Sequence, residues 1–285
     1  MGLTPLISAE WNWRVQLLIP AILSLIATAL AWRYFPESPR WLESRGRYQE
    51  AEKVMRSIEE GVIRQTGKPL PPVVIADDGK APQAVPYSAL LTGVLLKRVI
   101  LGSCVLIAMN VVQYTLINWL PTIFMTQGIN LKDSIVLNTM SMFGAPFGIF
   151  IAMLVMDKIP RKTMGVGLLI LIAVLGYIYS LQTSMLLITL IGFFLITFVY
   201  MYVCYASAVY VPEIWPTEAK LRGSGLANAV GRISGIAAPY AVAVLLSSYG
   251  VTGVFILLGA VSIIVAIAIA TIGIETKVSP LKFKY

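Results

Sequence analysis

"NAVGRISGIAAP", Asn228 to Pro239, sets an arginine inside a stretch that otherwise has the composition of hydrocarbon. Between Arg222 and Glu275 lie 52 residues, and Arg232 is the only charged one among them. A run that long and that apolar belongs in a bilayer, where a lone guanidinium costs a few kcal/mol on insertion scales and faces a cavity or a partner. The stretch therefore decides the fold class and marks where function is to be sought.

Composition points the same way. Hydrophobic residues make up 58% of the 285, charged residues 13%, and the mean hydropathy is +0.80. That is more apolar surface than a water-soluble core can hide. The expectation is an all-α integral membrane protein, multi-pass in a cell membrane, with the lipid bilayer as its first partner. The basic pI of about 9.5 reads as a positive cytoplasmic face and not as a nucleic-acid surface.

About 20 apolar residues cross a hydrocarbon core of roughly 30 Å. Charge-free runs of that kind are Val15 to Trp32, Val99 to Phe124 and Ser134 to Met156. Thr163 to Pro212 is long enough for two helices, broken near Leu181-Gln182-Thr183-Ser184; Gly223 to Ile274 holds two more, broken near Ser248-Tyr249-Gly250. Seven transmembrane helices follow. Of the 22 Lys and Arg, 19 fall on alternate connections, Arg14 and Lys132 lie on the opposite side, and Arg232 is inside a span. Since cytoplasmic loops carry the positive excess, the N-terminus is expected outside and the C-terminus in the cytoplasm.

"PESPRWLESRGRYQEA", Pro36 to Ala51, resembles the central-loop signature of the sugar-porter-like and metabolite (aromatic acid):proton symporter branches of the major facilitator superfamily. "NWLPTIF" (Asn118 to Phe124), "DKIPRK" (Asp157 to Lys162), "PEIWPTEAKLRGSG" (Pro212 to Gly225) and "GRISGIAAP" (Gly231 to Pro239) are similar to further family pieces, in the family's order. Pro160 replaces the usual glycine of the third-helix loop motif, and Met153 stands where a leading glycine is usual. The resemblance implies helices six to twelve of a twelve-helix fold. Residues 1–34 would be the last helix of the N-terminal bundle, 35–98 the cytoplasmic inter-bundle loop, 99–276 the C-terminal six-helix bundle and 277–285 a cytoplasmic tail. The family's first five helices have no counterpart here. Trp13 to Trp32 also lacks the basic n-region and cleavage site of a signal peptide. The chain is therefore expected to be the later part of a longer transporter, or a truncated reading frame.

Trp41 to Gln65 mixes helix formers and charges, with Leu42, Ala51, Val54, Met55 and Ile58 partly on one face, and reads as a surface helix. Lys68 to Pro86, with five prolines and Asp77-Asp78, reads as a linker.

All 14 acids lie outside the expected spans, and there is no histidine. If the family's proton coupling applies, its intramembrane acid sits in the helices that have no counterpart here. Arg232 lies ten residues from Arg222, about 15 Å into the membrane. Asn228 and Gly235 share its face, and Gly231 with Gly235 forms a small-xxx-small pair for close helix approach. The arginine is either an internal brace bonded to carbonyls or a planar fork for an anionic solute. Asn110, Gln113, Tyr114 and Asn118 form a polar stripe on a helix that resembles the family's seventh, a wall of the transport cavity. Among Tyr200, Tyr202, Tyr205 and Tyr210, Tyr205 is the candidate for solute contact and Tyr210 an interface anchor. These seven candidates are Arg232, Asn228, Asn110, Gln113, Tyr114, Asn118 and Tyr205. Cys104 and Cys204 lie in spans without disulfide or metal spacing, and no cofactor or metal is expected.

Glu37 and Arg40, Asp157 and Arg161, and Glu213 with Lys220 and Arg222 end helices on the cytoplasmic side. In the resembling family such clusters pair when the cavity opens outward and separate when it opens inward, which makes them a candidate gate; topology control by positive charge is the alternative. The family implies a secondary transporter of small solutes by alternating access, with organic anions the preferred class. Sugars or neutral metabolites are the alternative, as is a membrane fragment or assembly partner that transports nothing. An enzyme is not expected, since no nucleophile–base pair or catalytic acid lies within the spans.

Overall fold

The computed structural model describes residues 9–67, 69–70, 85–126, 128–216 and 218–276, and within these all side chains except those of 9–13, 16, 40 and 44. Most of the linker Lys68 to Pro86 and the whole tail 277–285 lie outside the described residues. The chain divides into two compact units, Met1–Gly79 and Lys80–Tyr285.

The first unit contains α1 (Ala9–Tyr34), α2 (Pro39–Ser44) and α3 (Tyr48–Thr66). No residue of α1 from Leu17 to Tyr34 is buried within the protein, so its apolar side chains, which lie all round the helix, require lipid or other helices to cover them. The single surface helix expected over 41–65 is two helices. Gly46 takes φ +74°, the left-handed conformation in which only glycine is free of a Cβ penalty, and this separates α2 from α3. Leu42 and Ala51 are buried, whereas Met55 and Ile58 of the expected apolar face are exposed. Arg47 grips Glu50 through two hydrogen bonds of 2.8 and 2.6 Å, which holds that carboxyl below its usual range.

The second unit is a helical bundle: α4 (Tyr87–Leu90), α5 (Gly93–Thr126), α6 (Leu131–Met142), α7 (Gly144–Val155), α8 (Arg161–Ser180), α9 (Met185–Val203), a π-helical stretch Cys204–Tyr210, α10 (Val211–Glu213) and α11 (Lys220–Ile272). Among the described residues of the whole chain, six helical stretches are long and apolar enough to cross a membrane. α6 and α7 make one of them, interrupted at Phe143; Pro146 has no N–H to return to Met142, which loosens the chain there. The turn after α8 falls at Leu181 to Ser184, where the sequence places it. α11 is 53 residues long, and at 1.5 Å per residue that is about 80 Å; Gly250 breaks it with φ 66° and ψ −161°.

In lipid, helices gain from close backbone approach rather than from hydrophobic exclusion. α7 and α9 use the pair Gly144 and Gly148: a Cβ at either would collide with the carbonyl oxygens of Phe193 and Thr197 respectively. This is a second small-xxx-small pair, present in the sequence as Gly144-Ala145-Pro146-Phe147-Gly148. α5 and α11 pack similarly, with Gly231 against Leu106 and Asn110 and Gly235 against the Tyr114 ring.

Gly148→Leu should therefore destabilise the bundle by about 1–3 kcal/mol, as overpacking does. Gly167→Ala, where an added methyl meets nothing within 4 Å, should leave the melting temperature unchanged or raise it. Melting of the detergent-purified variants checks this; equal losses would remove the close-packing role of Gly148.

Candidate functional site

Two groups of polar side chains stand out against the apolar bundle. The first is built where α5 and α11 touch. Gly231 and Gly235 let α5 come close, and this puts Tyr114 beside Arg232, whose Nη1 donates to the Tyr114 hydroxyl at 2.5 Å. An open pocket of about 270 Å³ is lined by Tyr114, Asn118, Arg232, Gly235 and Ile236. Arg232 is exposed to this space, so most of the guanidinium's donors remain available to a solute.

The expected stripe divides on inspection. Asn118 and Tyr114 line the pocket. Asn110 is buried, donates through Nδ2 to the Leu106 carbonyl at 2.8 Å and packs under Gly231, so it belongs to the helix contact. Gln113 is half-buried and outside the pocket lining. Asn228 is exposed and donates to the Ser224 carbonyl one turn earlier at 3.0 Å.

Tyr205 is placed elsewhere. It is fully buried, with its hydroxyl against Gly165 of α8, and offers no surface to a solute in this conformation. Tyr210 is also fully buried, which corrects its reading as an interface anchor. Its ring stacks on Tyr205 at 5.0 Å and its hydroxyl accepts from the Ile274 N–H at 3.0 Å. Tyr202 donates to the Val105 carbonyl at 3.1 Å. Tyr205 and Tyr210 lie in the π-helical turn Cys204–Tyr210, whose wider winding abandons the 3.6-residue spacing, and both face inward beside Tyr202 of α9. Periodicity alone gives no sign of it.

The second group gathers on Arg161 at the start of α8. Its side chain is only 8% exposed and forks onto Glu213, with Nε to Oε2 and Nη2 to Oε1 both at 3.1 Å. Nη2 also reaches Asp157 Oδ1 at 3.3 Å, and Nη1 donates to the Met156 carbonyl. Two partners were not anticipated from sequence. Glu275 accepts from the backbone N–H groups of Arg161 and Lys162 at 2.7 and 3.2 Å, capping α8 at the helix end that favours negative charge. Thr276 donates to Glu213 Oε2 at 2.5 Å. A signal existed: Glu275 is the acid that closes the last charge-free run.

Other members of the expected cytoplasmic cluster go elsewhere. Arg222 donates to the Val85 carbonyl at 2.8 Å and lies over the Tyr87 ring at 5.2 Å, so it fixes the end of the linker. Lys220 is exposed and makes no ion pair among the described residues. Glu37 is exposed in the first unit, and the side chain of Arg40 lies outside the described residues. Arg98, not singled out from sequence, donates to the Ile214 carbonyl at 2.6 Å and ties α5 to the end of α10.

The profile of the Major Facilitator Superfamily matches residues 1–239. The "Inner membrane metabolite transport protein YdjE" of Escherichia coli (strain K12) is 45% identical over 271 residues, covering 94% of this chain and 60% of that protein. The "Niacin transporter NiaP" of Acinetobacter baylyi is 25% identical, with the same coverages of 94% and 60%. Among solved structures, the proton:xylose symporter XylE bound to 6-bromo-6-deoxy-D-glucose has a similar fold, with TM-score 0.59 at 22% identity, over 97% of this chain and 60% of that one. The chain thus spans about 60% of the length of these relatives, which are transporters rather than enzymes. A helical, multi-pass membrane protein with this profile over most of its length belongs to the Major Facilitator Superfamily.

Proposed function

We propose that this chain carries the solute-binding wall of a secondary transporter of small organic anions, working by alternating access. The chain would supply seven crossings equivalent to helices six to twelve of such a carrier, with α11 counted twice because its break at Gly250 lets it turn back. The N-terminus would lie outside and the C-terminus in the cytoplasm. Proton coupling would run through an acid on helices outside this chain, since none of its 14 acids lies in the interior of a span. The observation that carries the reading is Arg232: a guanidinium about 15 Å into the membrane by helical rise, open to a pocket and hydrogen-bonded to the Tyr114 hydroxyl. A charge kept there calls for a counter-charge, and a carboxylate fits its planar donors. The Tyr114 ring and Ile236 beside it suit an aromatic or amphipathic body, and the relative named as a niacin transporter supports an aromatic acid. Sugar or another neutral metabolite is the second reading, favoured by the polar Asn118 in the same pocket.

The Arg161–Glu213–Asp157 cluster is proposed as the cytoplasmic gate. A buried fork of this kind breaks nearly even between attraction and desolvation, so modest changes at the helix ends can open it.

Arg232→Gln should weaken carboxylate binding by about tenfold or more, the worth of a charge-assisted hydrogen bond of about 1.5–3 kcal/mol. Arg232→Lys should restore part of it, and a neutral amide of the same shape should bind all three proteins alike. Equal losses for acid and amide would reject the anion reading; no loss for the acid would also reject it.

For the gate, Glu213→Gln removes one side of the Arg161 fork. Labelling of a cysteine placed at Asn118 by a membrane-impermeant reagent added from the cytoplasmic side should rise. Unchanged labelling from both sides would leave the cluster as a topology determinant.

A further inference from the structure

The Arg232 pocket contains an arrangement that the anion reading does not require. Arg232 stands on a stem of several rotatable bonds, and its guanidinium contacts the Tyr114 hydroxyl at 2.5 Å. Tyr114 in turn sets one edge of its ring against α11 at Gly235, where an added Cβ would lie 3.2 Å from both Cδ2 and Cε2. That separation is tighter than ordinary carbon contacts of about 3.5–4.0 Å, so a methyl there requires the ring to shift by a few tenths of an ångström. Gly235 sits three residues after Arg232, on the same face of the helix. One helix therefore supplies both the cation and the seat for the ring that holds it. The tyrosine hydroxyl accepts from Arg232 and keeps its own proton to donate, and both groups line the same pocket.

We propose that Gly235 is a positioning residue: by seating the Tyr114 ring it places the hydroxyl that orients the Arg232 guanidinium, and that same hydroxyl donates a further hydrogen bond to the carboxylate of the solute. This rests on the reading of Arg232 as the anion anchor. It makes recognition of the acid depend on a glycine that contacts neither the acid nor the arginine through a polar group. A fork held in one orientation loses less freedom when it binds, which is the general advantage of preorganisation.

The test is a thermodynamic cycle on purified protein in lipid nanodiscs. Benzoate, phenylacetate and nicotinate are the probes, each with its amide, and the acid that binds wild type tightest is carried through. Thermal melting first establishes that each variant is folded. Tyr114→Phe should weaken the acid by about tenfold, in the range of a hydrogen bond to a charged group, and the amide by much less. Gly235→Ala should weaken the acid selectively, by at least threefold on the same scale. In the Tyr114→Phe background Gly235→Ala should add nothing, because its effect runs through the hydroxyl. Equal effects of Gly235→Ala in both backgrounds would overturn the proposal and leave the glycine a packing residue; so would equal loss of acid and amide, or no loss. Arg232→Gln separates the two layers. If it abolishes the preference for acid over amide while Tyr114→Phe and Gly235→Ala keep it, the positioning role fails alone. If Arg232→Gln keeps the preference, or no acid binds wild type, the anchor reading fails and the positioning role with it.

Discussion

The contact between α5 and α11 at Gly231 and Gly235 is the constraint on which the Arg232 pocket depends. Lipid tails are as apolar as leucine, so two helices in a bilayer are held by close packing and hydrogen bonds. Leu106 and Asn110 fill the space at Gly231, and Tyr114 fills it at Gly235. Larger residues at either place would press the helices apart and shift Arg232 relative to the Tyr114 hydroxyl. The pocket is a consequence of this approach, since its five lining residues all come from these two helices. α7 and α9 repeat the device with Gly144 and Gly148.

At the other polar centre the logic is electrostatic. Arg161 is nearly buried, so removing it from water is costly, and it persists because Glu213, Asp157 and the Met156 carbonyl occupy its donors together. Glu275 joins the end of the last helix to the start of α8 through backbone N–H groups. Four helix ends are thus tied at one point by contacts that are individually small. Such a knot suits a proposed gate better than a hydrophobic seal would, because it can be exchanged for water without exposing apolar surface.

Much of the fold was legible because charge is so rare in this chain. The span limits follow from where Lys, Arg, Asp and Glu stop, and Arg232 was conspicuous as the exception to its own run. The stripe Asn110, Gln113, Tyr114 and Asn118 was legible as one face of a helix, yet which members reach the pocket depends on the rotation of α5 against α11, which spacing on one helix does not carry. Tyr205 and Tyr210 are both buried in a π-helical turn, whose spacing departs from the 3.6-residue period that a sequence pattern carries. Arg222 was grouped with Glu213 by proximity in sequence, whereas its partners Val85 and Tyr87 lie more than 130 residues away. Capping of α8 by Glu275 spans 114 residues, so the acid is visible at the end of the last apolar run while its partner is not.

The most direct measurement of the central claim is the position of a bound aromatic carboxylate. A structure with 4-iodobenzoate, located by its iodine, should place the carboxylate within hydrogen-bond distance of both the Arg232 guanidinium and the Tyr114 hydroxyl, with the ring toward Ile236. A carboxylate that points away from Arg232, or a ligand seated outside the α5–α11 pocket, would contradict the account.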